Sequence, residues 1–433
     1  MTDKPSIRAG VNKWIQTHKK DVIRLTQELV RIPSVSGNEY DVQKHIHNVL
    51  DGMNLNPEMV LPNIKTLKGH SDFFETTSFL KHGYENRPNV TGIMRGSGGG
   101  RSLTLSGHVD VVSPEPLEKW SRNPWSGEVL DGAIHGRGAG DMKAGVAAMI
   151  FAVKALQKNG IELRGDVQIE TTIEEEDGGV GGVLFLRSVR PKTDAALIPE
   201  PSNLAITVAS AGVMYFRVIV PGVPAHAATA HLGVNPVLKA TPIIEAIDDL
   251  HKRRQARVSY SFAETDPGMK GRATTINIGV IRAGDWPSTV PGSCMFECRI
   301  GWPPGESRED IVKQVEGAVM TAASRDEWLR ENPPIVEWFG WRARPHELSP
   351  ENDFVQTVRQ EVINVSGHTP MFIGGSAGLD TRHFVHQGIP AVTCGPKAER
   401  IHSYDEIVHI DSVVQTAQVI ASTMIDWCGA TRL

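Results

Sequence analysis

Histidine and acidic side chains recur in this chain directly after short apolar runs, where strands are expected to end. His108 and Asp110 follow the apolar run 103–105 in the segment SGHVDVV. Glu200 follows a second apolar run in LIPEPS, and His402 lies in the polar segment after AVTCGP. Imidazole nitrogens and carboxylate oxygens are zinc ligands and acid–base groups, so these residues are candidates for a hydrolytic metal site.

Asp141 lies in a glycine-rich turn ahead of a predicted helix, whose apolar stripe includes Val146 and Val153. Gly136 and Gly138 begin a GxGxxG dinucleotide pattern, but Asp141 takes the place of its last glycine, where an anion would repel a phosphate. Helix capping is the simplest role for an isolated aspartate at this position. The other candidate ligands favour a metal site instead.

Three consecutive glutamates, Glu174, Glu175 and Glu176, follow an apolar run in TTIEEEDGG. Such a run is usually a solvated loop. Adjacent residues that leave a strand point to opposite sides, however, so one glutamate could bind a metal while its neighbour handles a proton. The segment therefore offers both a ligand and a general base.

Two imidazoles and three carboxylates from these segments would make a two-metal site. One carboxylate could bridge two cations, with one histidine and one further carboxylate on each. Asp110 would hold the His108 ring through its second nitrogen. The five candidate ligands are His108, Asp141, Glu176, Glu200 and His402.

The elements that position these residues alternate between apolar strands and helical patterns, as in a mostly parallel sheet with helices on its faces. In such sheets ligands gather at the carboxyl ends of the strands. Ser36 and Glu39 in SGNE predict a capping box at the start of the first helix that packs on this sheet.

The pattern changes after Gly212 to the order strand, helix, two strands, helix, strand, which is that of a split βαβ sandwich. The first pattern returns near Trp341. The sequence therefore predicts an α/β catalytic domain of residues 1–211 and 342–433 and an inserted α+β, ferredoxin-like domain of residues 212–341.

Composition excludes several other classes of protein. With 433 residues and a formal net charge of -5, the chain lacks the basic character of a nucleic-acid binder, and its basic run HKRRQAR at 251–257 is interpreted as a solvated helix face. The sequence contains no apolar stretch of membrane-spanning length, and its first residues lack the apolar pattern expected of a secretory leader. Four cysteines are too few for a disulfide framework, so we expect reduced thiols and a cytoplasmic enzyme.

Six segments in order and spacing resemble the co-catalytic zinc amidohydrolases, the M20 peptidase family, which include acetylornithine deacetylase, succinyl-diaminopimelate desuccinylase, aminoacylases and glutamate carboxypeptidase. The resemblance extends over nearly the whole chain. The segments are SGHVDVV, GRGAGDMKAG, IEEEDGG, IPEP, GVPAHAATAHLGVNP and GPKAERIHSYDE.

The resemblance assigns roles to these residues. It implies that Asp141 bridges two zinc ions, with His108 and Glu200 on one and Glu176 and His402 on the other, and that cobalt or manganese could replace zinc. It makes Glu175 the general base. It also implies a cis peptide bond between Asp141 and Met142.

In the family the inserted lid domain forms a homodimer, and a histidine reaches the partner's active site. His226 matches that histidine, with His231 as a nearby competitor. Arg299 matches an arginine that holds a substrate carboxylate, a task suited to a guanidinium fork, although an exposed strand arginine is an equal alternative. Thr289 stands where relatives often carry a substrate-binding asparagine, which weakens the transfer of any particular substrate.

These assignments predict removal of an N-acyl group from an amino acid or related small amine. A metallo-dipeptidase or carboxypeptidase would use the same site, because only the substrate pocket differs. A non-catalytic metal-binding protein is a third alternative, but it would have no need for a carboxylate such as Glu175 beside its ligands.

Overall fold

The computed structural model describes residues 4–266, 269–375 and 377–432. Two compact units divide the chain. The first comprises Met1–Val208, Glu347–Ile373 and Leu379–Leu433, and the second comprises Ala209–His346 and Gly374–Gly378. The second unit is therefore an insertion in the sequence of the first.

The α-helices of the described residues are α1 (Lys4–Thr17), α2 (Lys19–Arg31), α3 (Tyr40–Asp51), α4 (Ile64–Lys68), α5 (Thr77–His82), α6 (Ala144–Lys158), α7 (Phe185–Val189), α8 (Pro236–Arg257), α9 (Ser261–Thr265), α10 (Arg308–Ala323), α11 (Glu327–Glu331), α12 (Asp353–Ser366), α13 (Thr381–Val385) and α14 (Ile410–Trp427).

The strands are β1 (Glu58–Val60), β2 (Asn89–Met94), β3 (Leu103–His108), β4 (Glu128–Leu130), β5 (Ala133–His135), β6 (Ile161–Leu163), β7 (Val167–Thr172), β8 (Ala196–Ile198), β9 (Ile206–Ser210), β10 (Gly212–Pro221), β11 (Ala225–His226), β12 (Thr275–Ala283), β13 (Thr289–Val290), β14 (Ser293–Trp302), β15 (Ile335–Ala343), β16 (His346–Glu347), β17 (Phe372–Gly375), β18 (Ala391–Thr393), β19 (Ala398–Glu399), β20 (Ile407–His409) and β21 (Ala430–Arg432).

The largest sheet has the strand order β1-β2-β7-β3-β8-β18-β9-β16. Its central strands β7, β3, β8 and β18 run parallel, whereas β2 and β9 join them antiparallel on either side. The strand β3 is buried along its whole length, as expected for a strand covered on both faces. The predicted α/β fold with a mainly parallel sheet is confirmed.

The helix α6, which follows Asp141, is buried almost all round and not along a single stripe. It packs against β3 on one side and against α14 and α2 on the other. A side chain at Gly107 of β3 would come within 2.9 Å of Met142 and 3.0 Å of Val146, so the glycine lets the helix approach the strand. This close packing fixes the start of α6 near the end of β3.

The predicted capping box at Ser36 and Glu39 is wrong. The helix α3 begins at Tyr40, and Glu39 makes no capping bond to it. The Ser36 hydroxyl donates to Asp110 Oδ2 at 2.7 Å, while Glu39 accepts two hydrogen bonds from Arg87 at 2.7 and 2.8 Å. Both side chains meet partners distant in sequence, and these compete successfully with the local cap.

The second unit contains a four-stranded sheet of order β12-β14-β10-β15, antiparallel throughout, with α8 and α10 packed on one face. Its chain order β10-α8-β12-β14-α10-β15 is the predicted split βαβ arrangement. Phe216, Phe296 and Trp302 lie fully buried between sheet and helices. The unit thus has a core of its own.

One residue of the basic run at 251–257 is not solvated, contrary to the prediction. Arg254 is 1% exposed and continues the buried stripe that Ile247 and Leu250 form along α8. Its guanidinium donates to both carboxylate oxygens of Glu306, at 3.0 and 2.6 Å, and to Gln314 at 2.8 Å. Arg253 beside it is exposed, so one run contains both kinds of arginine.

Within 4–266, 269–375 and 377–432, no helix combines the length and apolar character needed to cross a bilayer. The four cysteines are buried as free thiols.

We predict that Arg254→Met lowers the free energy of unfolding of the second unit by about 1–3 kcal/mol, because Glu306 and Gln314 lose the hydrogen bonds that the buried guanidinium donates. The matched control Arg253→Met removes an exposed charge and should change that free energy by less than about 0.5 kcal/mol. Denaturant unfolding followed by tryptophan fluorescence measures both. Equal midpoints for the two variants would contradict the structural role of Arg254.

Candidate metal centre and active site

Three neighbouring parallel strands end at one edge of the large sheet and bring candidate ligands to it. His108 is the last residue of β3. Glu176 lies four residues beyond β7, and Glu200 lies two residues beyond β8. Because β7, β3 and β8 are adjacent and parallel, these side chains meet although they are far apart in sequence.

Asp141 lies between two imidazoles. Its Oδ1 is 3.0 Å from His108 Nε2, and its Oδ2 is 3.3 Å from His402 Nε2. The two oxygens of one carboxylate therefore face different histidines, as a bridging ligand requires.

Each imidazole also has a second carboxylate. Glu200 Oε1 is 3.5 Å from His108 Nε2, and Glu176 Oε2 is 2.9 Å from His402 Nε2. Ligand atoms of His108, Asp141 and Glu176 all lie within 4.8 Å of one another. The structure thus brings together all five predicted ligands, in two groups that share Asp141.

The electrostatics of the cluster favour bound cations. Burial, followed by the charge of Asp141, raises the pKa of Glu176 to about 7. Burial also raises the pKa of Glu200 well above its usual value, with Asp141 and Glu175 adding to the effect and His108 opposing it. Hydrogen bonds that His402 donates to the carboxylates of Asp141 and Glu176 raise its pKa to about 10.

His108 shows the same preference for positive charge. Burial alone would lower its pKa, but the charges of Glu200 and Asp141 raise that pKa well above the usual range. The donor set consists of nitrogen and carboxylate oxygen with one shared carboxylate, and this fits two divalent metal ions.

Asp110 contacts His108 differently from the prediction. His108 Nδ1 is 2.9 Å from the main-chain carbonyl oxygen of Asp110 and 3.6 Å from its carboxylate. The carboxylate instead accepts hydrogen bonds from the main-chain amides of Glu175 and Glu176, at 3.0 and 3.3 Å, and from the Ser36 hydroxyl. A carbonyl partner still orients the ring, and the carboxylate holds the glutamate turn.

The three consecutive glutamates have three different environments. Glu174 is fully buried and accepts hydrogen bonds from Thr76, Ser78 and Tyr84 and from the amide of Gly181. Glu174 therefore anchors the turn, a role that the run of three glutamates in the sequence did not indicate. Glu176 faces His402.

Glu175 is 8% exposed, and its carboxylate is not among the contacts of the two imidazoles. Burial raises its pKa well above the usual value, His108 opposes this effect, and Asp380 and Glu176 add to it. A buried carboxylate beside the ligand cluster is suited to accept a proton.

Two other features lie near the candidate ligands: a cis peptide bond and a hydrogen bond from an arginine. The peptide bond between Asp141 and Met142 is cis, as the resemblance implied. Arg382 at the start of α13 donates to the carbonyl oxygen of Gly178, directly after the glutamate turn. A polar residue in an unremarkable helix start carries little signal in the sequence, so this contact could not have been predicted.

The remaining predicted residues belong to the second unit. His226 is exposed at the end of β11, and its Nδ1 accepts a hydrogen bond from the amide of Ala228 at 3.1 Å. His231 lies exposed in the turn that follows. Arg299 lies half-buried on β14 and donates to Thr275 at 3.4 Å, and Thr289 pairs with His226 across β11 and β13.

A family model described as peptidase family M20/M25/M40 matches residues 104–426. The chain belongs to this family. The match includes every predicted ligand, and the predicted membership is confirmed.

Three similar proteins illustrate the range of the family. N-formyl-4-amino-5-aminomethyl-2-methylpyrimidine deformylase from Halalkalibacterium halodurans is 27% identical, with 96% of both chains covered. The structure of human carnosine dipeptidase 1 matches with a TM-score of 0.73 at 16% identity, covering 98% of this chain and 99% of that one. A Bacillus subtilis protein described as a dinuclear metal binding M20 peptidase matches with a TM-score of 0.61 at 15% identity, covering 95% and 98%.

The family and the deformylase relative together make this chain a metal-dependent hydrolase of amide bonds. The cluster around Asp141 is its candidate metal site.

We predict that Gly179→Ala strongly lowers turnover. Gly179 has a φ of 65°, and an added Cβ would lie 2.1 Å from the buried Oδ1 of Asp380, so the glutamate turn would have to shift. Gly367 is the matched control, because its φ is 74° and no atom lies within 4 Å of an added Cβ. Gly367→Ala should cost roughly 1–2 kcal/mol of stability and leave kcat unchanged.

Steady-state kinetics and thermal unfolding of both variants make this comparison. Equal kcat values for the two alanine variants would show that the packing of Asp380 on Gly179 does not position the glutamates.

Proposed function

We propose that the protein is a dinuclear zinc amidohydrolase that removes an N-acyl group from an amino acid or related small amine. The observation that carries the proposal is the placement of Asp141 between two imidazoles, each with its own second carboxylate. Glu175, buried beside this cluster and outside its ligand contacts, supports hydrolysis over metal storage.

His108 and Glu200 would hold one metal ion, Glu176 and His402 the other, and Asp141 both. Two zinc ions bound there would supply a water molecule whose pKa is lowered from 15.7 toward about 7, and would polarise the scissile carbonyl group. Cobalt or manganese could substitute, because the donor set contains no thiolate.

Glu175 acts as general base in this proposal. It accepts a proton from the attacking water and then passes that proton to the leaving nitrogen. The amide bond between the acyl carbon and the nitrogen breaks, and the products are a carboxylic acid and a free amine. The bonds from Glu175 and Glu176 amides to Asp110 support this role, because they fix the main chain of the base relative to β3.

His226 donates a hydrogen bond to the carbonyl oxygen as negative charge develops on it. Its Nδ1 accepts from Ala228, which places the proton of the neutral ring on Nε2 and makes that atom a donor. In this proposal the second unit is the dimerisation or lid domain, and His226 serves the cluster of a second copy of the chain. Arg299 orients the substrate through its guanidinium group.

The proposed acyl group is based on the deformylase relative, which aligns with this chain over 96% of its own length. A deformylase of an N-formyl aminomethylpyrimidine is 27% identical and covers 96% of this chain, so a formylated small amine is the first substrate to test. Four buried thiols fit a reducing cytoplasmic setting for the reaction.

A hydrolysis screen tests the proposal. Purified protein with zinc, cobalt or manganese is incubated with N-formyl, N-acetyl and N-succinyl amines and with dipeptides, and the released amine is quantified. Turnover of an N-acyl amine at least tenfold above that of the dipeptides supports deacylation. Preferential cleavage of dipeptides would identify a dipeptidase with the same site, and no turnover of either class would contradict the proposal.

We predict that Glu175→Gln retains both metals and lowers kcat by about a hundred- to ten-thousandfold, because it removes the proton acceptor and no ligand. Glu176→Gln should weaken metal binding at the His402 side, because the substituted amide is a poorer ligand. Metal analysis of the two purified variants separates the roles. Equal metal loss in both would reverse or void the assignment.

We predict that His226→Ala lowers kcat by about a hundred- to a thousandfold with normal metal content. A mixture of inactive Glu175→Gln and His226→Ala chains should regain up to about a quarter of wild-type activity after subunit exchange, since each mixed dimer has one intact site. His231→Ala is the control and should remain active. Inactive mixed dimers, or loss of activity in His231→Ala alone, would refute the role of His226 across the dimer.

A further inference from the structure

Glu406 lies beside the turn that carries Asp141. The strand β20, which begins at Ile407, pairs antiparallel with β5, and Ile407 lies opposite His135. The amide of Gly136 donates to the carbonyl oxygen of Glu406 at 3.0 Å. This register places Glu406 at the point where the chain leaves β5 for the glycine-rich turn 136–141.

The carboxylate of Glu406 is fully buried and accepts hydrogen bonds from four donors of that turn. Its Oε2 accepts from Arg137 at 2.6 Å and from the amide of Gly138 at 3.1 Å. Its Oε1 accepts from the amides of Gly140 and Asp141 at 2.8 and 3.1 Å. Three main-chain amides of the turn, those of Gly138, Gly140 and Asp141, converge on one carboxylate, which defines the conformation of the turn.

The turn is closely packed around this carboxylate. A Cβ at Gly140 would lie 2.6 Å from Ala398 and 3.3 Å from Glu406 Oε1. Gly138 has a φ of 78°, which glycine adopts without strain. The glycines thus permit an approach of main chain to carboxylate that larger residues would prevent.

Glu406 links the segment that contains Asp141 to the loop that contains His402. It bonds the amide of Asp141 itself, and it lies four residues after His402 in the same loop. Asp141 must present one oxygen to His108 and the other to His402, at 3.0 and 3.3 Å. A carboxylate that holds one ligand's main chain and belongs to the other ligand's loop fixes both at once.

We infer that Glu406 is a positioning residue that orients Asp141 as the shared ligand and thereby couples the binding of the two metal ions. The inference rests on the proposed two-metal function. Glu406 contacts no ligand side chain in the described residues, and its effect is exerted through the main chain of residues 138–141.

Glu406→Gln tests the inference, because it places an NH2 group against main-chain N–H donors at nearly constant volume. Glu399→Gln is the matched control, since Glu399 lies in the same hairpin and pairs with His409 and Lys397 near the surface. Zinc affinity is measured by competition with a colorimetric chelator, together with zinc stoichiometry, kcat and KM, and thermal unfolding with and without zinc.

We expect Glu406→Gln to bind zinc about ten- to a hundredfold more weakly, with kcat reduced and KM nearly unchanged. The increase in Tm that zinc produces in the wild type should be smaller in this variant. Glu399→Gln should match the wild type in every measurement. If Glu406→Gln does not fold, Glu406→Asp, which keeps the charge but shortens the side chain, replaces it with the same expectation for zinc affinity.

Two results would overturn the inference. One is wild-type zinc affinity and stoichiometry in the Glu406 variant. The other is an equal loss of Tm with and without zinc at unchanged affinity, which would reveal a purely structural role. Zinc binding is measured without substrate, so a wild type that binds no zinc would refute the proposed function and not this inference alone.

Discussion

The sharing of one carboxylate, Asp141, between two imidazoles is the constraint on which the rest of the site depends. The arrangement needs a parallel sheet, because only strands that end at the same edge bring His108 and Glu200 together with the glutamate turn. It also needs a helix, α6, that begins beside that edge. The absence of a side chain at Gly107 lets α6 pack directly on β3.

Buried carboxylates outside the proposed ligand set hold the loops that carry the proposed ligands. Asp110 accepts hydrogen bonds from the amides of Glu175 and Glu176. Glu174 accepts hydrogen bonds from four surrounding donors. Glu406 accepts hydrogen bonds from the turn that contains Asp141. A buried anion costs much free energy unless hydrogen bonds satisfy it, and these anions are satisfied chiefly by main-chain amides and hydroxyls. The loops and the anions therefore stabilise one another, which keeps irregular backbone in a single conformation beside the cluster.

The second unit is organised on different principles. Its antiparallel sheet and two helices enclose a separate core, and the buried Arg254 links α8 to Glu306 and Gln314. His226 and Arg299 lie outside that core, His226 exposed at the end of β11 and Arg299 half-buried on β14. The exposed His226 is accessible to a second copy of the chain, as the proposed function requires.

The sequence by itself determined the fold class, the order of the elements and which residue types meet at the sheet edge, because apolar periodicity and strand ends are local properties. Only the tertiary structure decided which hydrogen-bond partners each carboxylate has. Partners such as Ser36 and Asp110, or Gly138 and Glu406, lie 74 and 268 residues apart, and no local pattern marks them. Ser36 does not form the predicted helix cap, and Arg254 does not lie on the predicted solvated face. The physical reason is the same for both. A buried polar group bonds whichever partner the packed chain brings within reach, and that partner is known only once the chain has folded.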